Sequence, residues 1–104
     1  MTEFKERRRF PRIEVSIKLP ELGQAQNISA DGIWLLVENP IGIGTVLNLK
    51  FRPFSESPLI RCKGQVIWRR EIAGGRAQIG LKFVDLTESD QKRILEYVKS
   101  QYQH

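Results

Sequence analysis

Between Ile13 and Phe83 the apolar residues recur at every second position in short runs; after Thr87 they recur at every third and fourth. A period of two places side chains on one face of a strand, and a spacing of three and four places them on one face of a helix. Ile13-Glu14-Val15-Ser16-Ile17-Lys18-Leu19 alternates without a break, and Pro20 with Glu21-Leu22-Gly23 ends it in a turn. Gln24 to Ile28 is a short return strand. Gly32 punctuates before the apolar run Ile33–Val37, and Asn39-Pro40 with Gly42 and Gly44 forms a loop. Thr45 to Phe51 carries Leu47, Leu49 and Phe51 on one face. After a Pro- and Ser-rich loop, Leu59 to Trp68 places Ile60, Cys62, Gly64, Val66 and Trp68 on one face and Arg61, Lys63 and Gln65 on the other. Gly74-Gly75 signals a hairpin, and Ala77, Ile79, Leu81 and Phe83 then alternate with Arg76, Gln78, Gly80 and Lys82. Thr87 is a good N-cap, with Glu88 and Asp90 in the first turn, where the helix dipole favours them. Ile94, Leu95, Val98 and Tyr102 share one helical face.

The pattern predicts an all-β chain with a C-terminal helix. Six antiparallel strands over residues 13–84 favour a sandwich or a small barrel, and one α-helix over 87–102 caps a mouth or packs on a face. Closure removes the open edges that a small sheet would expose. The chain has 104 residues, enough for one domain over 1–104 and not for two. Apolar residues make up 40% and charged residues 28%, which excludes disorder and collagen-like folds. One Cys excludes an intrachain disulfide, and Cys62 reads as a small buried filler. No run approaches the roughly 20 apolar residues that span a bilayer, and no secretory signal opens the chain. A cytoplasmic protein with no membrane span is expected.

Charge directs attention to two segments. The chain holds 17 Lys and Arg against 12 Asp and Glu, a net charge of +5. Residues 1–12 and residues 61–82 carry the whole excess, the first as the run Arg7-Arg8-Arg9-Phe10-Pro11-Arg12. If the two segments meet, they make one anion-binding surface. A second cluster, Asn27-Ile28-Ser29-Ala30-Asp31-Gly32, follows one hairpin later. With Leu19 paired to Gln24, the register sets Val15 opposite Ile28 and Ile13 opposite Ala30, and Arg12 lands near Asp31 beside Ser29. Asn27 and Ser29 then share a solvent-facing side with Glu14 and Ser16. Guanidinium groups match phosphate oxygens and the O6/N7 edge of guanine, and Asn and Ser can read base edges. Pro11 restricts one φ in the arginine segment. Nothing suggests catalysis: there is no His beside a Ser or Cys, no metal-ligand spacing and no Gly-rich phosphate loop before a helix. Trp34 and Trp68 read as core or barrel-mouth packing.

Arg8-x-x-x-Arg12 followed by Asn27-x-Ser29-x-x-Gly32 resembles the paired motifs of PilZ domains, RxxxR and D/N-x-S-x-x-G. Val66-Ile67-Trp68, then Ile79-Gly80-Leu81-Lys82-Phe83-Val84-Asp85-Leu86 and a short helix, extend the resemblance over essentially the whole chain. It implies a six-stranded split barrel with a C-terminal helix and binding of the bacterial second messenger cyclic di-GMP. It implies that Arg8 and Arg12 grip guanine and phosphate, that Asn27 and Ser29 read a guanine edge, and that Gly32 makes room. Asn27 stands where many members have Asp and brings no charge. Arg7, just before the first motif, favours two ligand molecules over one. Arg9, Asp31, Trp68 and Arg70 are further expected contacts. The implied protein is a receptor without enzymatic activity, cofactor or metal. Its mobile basic segment, residues 1–12, would order on the ligand and alter the surface offered to a separate, unidentified partner protein. Two alternatives stand beside it: a small basic barrel that binds RNA or single-stranded DNA, and a PilZ-like module that binds no ligand and only contacts proteins.

Overall fold

The structure, a computed structural model, describes residues 10–102. Six strands follow one another: β1 (Ile13–Leu19), β2 (Gly23–Ile28), β3 (Gly32–Val37), β4 (Val46–Phe51), β5 (Ile60–Ile72) and β6 (Arg76–Phe83). A 3-10 turn at Ala73–Gly75 joins β5 to β6, with Gly74 and Gly75 at φ values of 85° and 78° that favour glycine. The helix α1 (Glu88–Tyr102) ends the described chain. The strands form one antiparallel sheet in the order β1-β2-β3-β6-β5-β4. The sheet curls into a half-barrel, and its two edge strands, β1 and β4, approach each other without a ladder between them among the described residues. No helix among the described residues is long and apolar enough to cross a membrane.

The alternation of the sequence accounts for the core. Ile28, Ile33, Leu35, Ile60, Ile79 and Leu81 are buried on the inner face, with Leu49, Phe51 and Val66 beside them. From α1, Ile94 and Val98 complete this cluster and are fully buried. The side chain of Tyr102 lies outside the described residues. Thr87 caps the helix as expected, its Oγ1 accepting from the Asp90 backbone N–H at 3.1 Å. Cys62 is buried against the core.

Two expectations about faces are corrected. The β1–β2 register is tighter than expected, with Leu19 opposite Gly23 and, past a bulge, Ile13 opposite Ile28. Trp68 does not lie on the inner face with Val66. The β5–β6 ladder pairs Val66 with Leu81 but Trp68 with Gly80, so one extra residue, Ile67, is accommodated between them. A bulge of this kind flips the strand's parity and turns the next side chain to the opposite face. A bulge in β2, between Ala25 and Asn27, works the same way.

Candidate ligand-binding face

The two bulges assemble one row of side chains on the outer face. Glu14 lies opposite Asn27, Asn27 opposite Trp34, Trp34 opposite Gly80 and Gly80 opposite Trp68. The indoles of Trp34 and Trp68 meet edge to face, with centroids 5.3 Å apart and planes at 81°. That geometry suits the ring quadrupoles. Gly80 leaves the space that Trp68 fills, because a Cβ there would sit 2.2 Å from the Trp68 Nε1. Both rings are half-buried on the outer face, so neither lies in the core, one of the two placements expected of them.

Arg12 enters this row from the strand's N-terminal end. Its Nε donates to Asn27 Oδ1 and its Nη1 donates to Ser29 Oγ at 3.1 Å. The same Nη1 lies 3.8 Å from Asp31 Oδ1. The guanidinium carbon stands 4.9 Å from the centroid of Trp34, within cation–π range. Burial lowers the Arg12 pKa from its ordinary value, and the Asp31 carboxylate opposes that shift. The group still carries its charge at neutral pH. Phe10, two residues earlier, packs against the core and ties the start of the described chain to the sheet.

Ser29 is buried rather than solvent-facing. Its hydroxyl accepts from Arg12 and from the Asp31 N–H (3.2 Å) and donates to Asp31 Oδ1. With all its hydrogen-bonding capacity engaged, Ser29 orients Arg12 and Asp31 in this structure. The Ser29 N–H donates to the Gly32 carbonyl at 2.9 Å, closing the turn between β2 and β3. That turn is held from outside as well. Phe83 N donates to the Asp31 carbonyl (3.0 Å), and Gln91 Nε2 of α1 donates to the Ala30 carbonyl (3.2 Å). Gly32 faces the backbone of β6: a Cβ there would lie 2.5 Å from the Leu81 carbonyl oxygen. Its lack of a side chain is required by strand packing before any ligand is considered.

The structure therefore brings together Arg12, Asn27, Ser29 and Asp31, with Trp68 on the same face through Trp34. Arg70 sits on the next row of that face, opposite Gln78. Arg7, Arg8 and Arg9 lie outside the described residues. Asp31 supplies a carboxylate beside Arg12 where Asn27 has none. Sequence reasoning missed Trp34 as a member of this face. The available signal was Gly80, a glycine inside a strand, which marks a close approach from a neighbouring group. The face is an open surface. A cleft of about 600 Å³ lies elsewhere, between the β1–β2 turn and the β4–β5 hairpin, and none of these residues lines it.

The chain belongs to the PilZ domain family, whose model matches residues 6–100. No curated protein matches it. Among solved structures, the inhibitor of motility of Bacillus subtilis (MotI/DgrA) superposes with a TM-score of 0.77 at 22% identity. That match covers 92% of this chain and 52% of the other. YcgR of Escherichia coli, solved in complex with c-di-GMP, superposes with a TM-score of 0.73 at 14% identity, over 93% of this chain and 46% of the other. The chain thus spans about half the length of these solved chains, and at these identities the likeness establishes the fold.

Proposed function

We propose that this protein is a receptor for cyclic di-GMP that relays binding to a partner protein and carries no catalytic activity. The observation that carries the reading is Arg12, held against Asn27 and Ser29 and stacked over Trp34. One guanidinium fixed on two polar partners and an aromatic face suits an anionic purine ligand. Membership of the PilZ family and the c-di-GMP complex of YcgR support the same ligand. In this reading Arg12 and Arg8 contact guanine and phosphate, Asn27 presents its amide to a base edge, and Ser29 and Gly32 hold the turn. Trp68 offers a stacking surface, and Arg7 with Arg9 adds phosphate contacts, with Arg7 favouring a second ligand molecule. The segment ahead of Phe10 folds over the ligand, and this ordering changes the surface that the partner meets.

Isothermal titration tests the proposal. The chain should bind cyclic di-GMP saturably, with one or two molecules per protein, and should not bind GTP. Arg8→Ala and Arg12→Ala should each cost about 1–3 kcal/mol of affinity, and Ser29→Ala about 1 kcal/mol. Absence of cyclic di-GMP binding, with salt-sensitive binding to a short single-stranded oligonucleotide instead, would refute the receptor reading in favour of a nucleic-acid module.

A further inference from the structure

One row beyond the Trp pair, a chain of three side chains crosses the outer face. Arg70 Nη2 donates to Gln78 Oε1 at 2.8 Å, and Gln78 Nε2 donates to Gln26 Oε1 at 2.8 Å. Gln26 is the extra residue of the β2 bulge, which lets it reach over β3 to β6. The direction of this chain is dictated by Arg70. A guanidinium has only donors, so it must face the carbonyl oxygen of Gln78. The Gln78 NH2 then faces Gln26, takes its carbonyl oxygen, and leaves the Gln26 NH2 directed away from the chain. What the row offers to a ligand is therefore rich in N–H groups, those of Arg70 not given to Gln78 and those of Gln26, while each of its two amide oxygens already holds one donor. Arg70 is exposed and half-buried Gln26 and Gln78 support it.

The row lies close enough to matter. Trp34 and Leu36, Gly80 and Gln78, and Trp68 and Arg70 are each two residues apart on their strands, a distance of about 7 Å. A purine resting on the Trp34–Trp68 surface would bring its edge to this row. Guanine presents two acceptors, O6 and N7, on its Hoogsteen edge, whereas adenine presents N7 and an N6 amino donor. A donor-rich row headed by a guanidinium matches the first better than the second.

We propose that Gln26, Gln78 and Arg70 form a specificity row that selects guanine over adenine in the cyclic dinucleotide. Arg70 and Gln26 touch the base; Gln78 is a positioning residue that acts through them. The inference rests on the cyclic di-GMP reading of the same face.

The test is titration of the full chain and of the Gln78→Leu and Gln26→Leu variants with cyclic di-GMP and with cyclic di-AMP. Thermal unfolding of each variant verifies the fold. For either variant, the Kd for cyclic di-GMP should rise roughly ten- to a hundredfold. The Kd for cyclic di-AMP should change far less, so the ratio between the two ligands narrows. A general loosening of the sheet would weaken both ligands in proportion and leave the ratio unchanged; that result overturns the proposal. So does wild-type affinity in both variants. Failure of the wild-type chain to bind cyclic di-GMP would refute the receptor reading as well, and is distinguishable from either of these.

Discussion

Gly32→Ala separates two explanations of a motif residue. If Gly32 only makes room for a ligand, an added methyl group should weaken binding and leave stability untouched. The structure points elsewhere. The new Cβ would stand 2.5 Å from the Leu81 carbonyl oxygen, a backbone atom fixed by the β3–β6 ladder that pairs Gly32 with Lys82 and Ile33 with Leu81. Ordinary carbon–oxygen contacts lie near 3.3–3.6 Å, so the two strands must part by several tenths of an ångström or more. Backbone shifts of this kind in a packed interior cost about 1–3 kcal/mol. The Ser29-to-Gly32 hydrogen bond that closes the turn would be strained with them. Urea unfolding followed by tryptophan fluorescence reads the effect directly. For a slope of about 2 kcal/mol per molar urea, the midpoint should fall by about 0.5–1.5 M. An unchanged midpoint accompanied by lost cyclic di-GMP affinity would refute the packing argument and return Gly32 to the ligand.

Gly80→Ala strikes the same sheet more gently, because its Cβ meets the Trp68 indole and not backbone. The ring should swing away, costing about 1 kcal/mol as the edge-to-face contact with Trp34 is lost; the near-ultraviolet circular dichroism of the Trp pair should collapse, and an unchanged spectrum would contradict the assigned packing. Burial foremost, then Asp85 and Asp90, push the Cys62 thiol from its ordinary 9.0 up to about 12. Cys62 should therefore resist Ellman's reagent at pH 8 in the native state and react on unfolding; rapid native labelling would contradict its burial. The same shift makes stability fall as pH rises from about 9 towards 12, since the unfolded thiol ionises over that window while the native one stays protonated.

The strand-and-helix order was readable because each element keeps its period over most of its length, even where a bulge later reverses the parity. Ile13–Leu19 alternates throughout and forms β1, while Ile94 and Val98 fall on the buried face of α1 at helical spacing. The proximity of Arg12 to Ser29 and Asp31 was readable too, since any register near the observed one brings the ends of that hairpin together. Burial of Ser29 was not readable: a serine beside an aspartate at a turn gives no sign of which of its neighbours will cover it. The closeness of Gly32 to β6 depends on a pairing between residues some fifty positions apart, and no local pattern encodes it.

The outer face was the least legible part because bulges build it. Strict alternation from Val66 puts Trp68 in the core, and strict alternation from Ala25 puts Asn27 there too. In each strand one extra residue reverses the parity, so that Gln26 with Asn27 and Ile67 with Trp68 stand as successive side chains outside the inner face. A regular sheet of the same sequence would bury an indole and a carboxamide and lose the row that Arg12 stacks on. Burying that carboxamide without partners would itself cost about 1–3 kcal/mol, so the apolar core and the polar face favour the bulged registers together. The sheet accepts three local irregularities, and those of β2 and β5 are spent on the face that holds Arg12, which is where a departure from local rules is most informative about function.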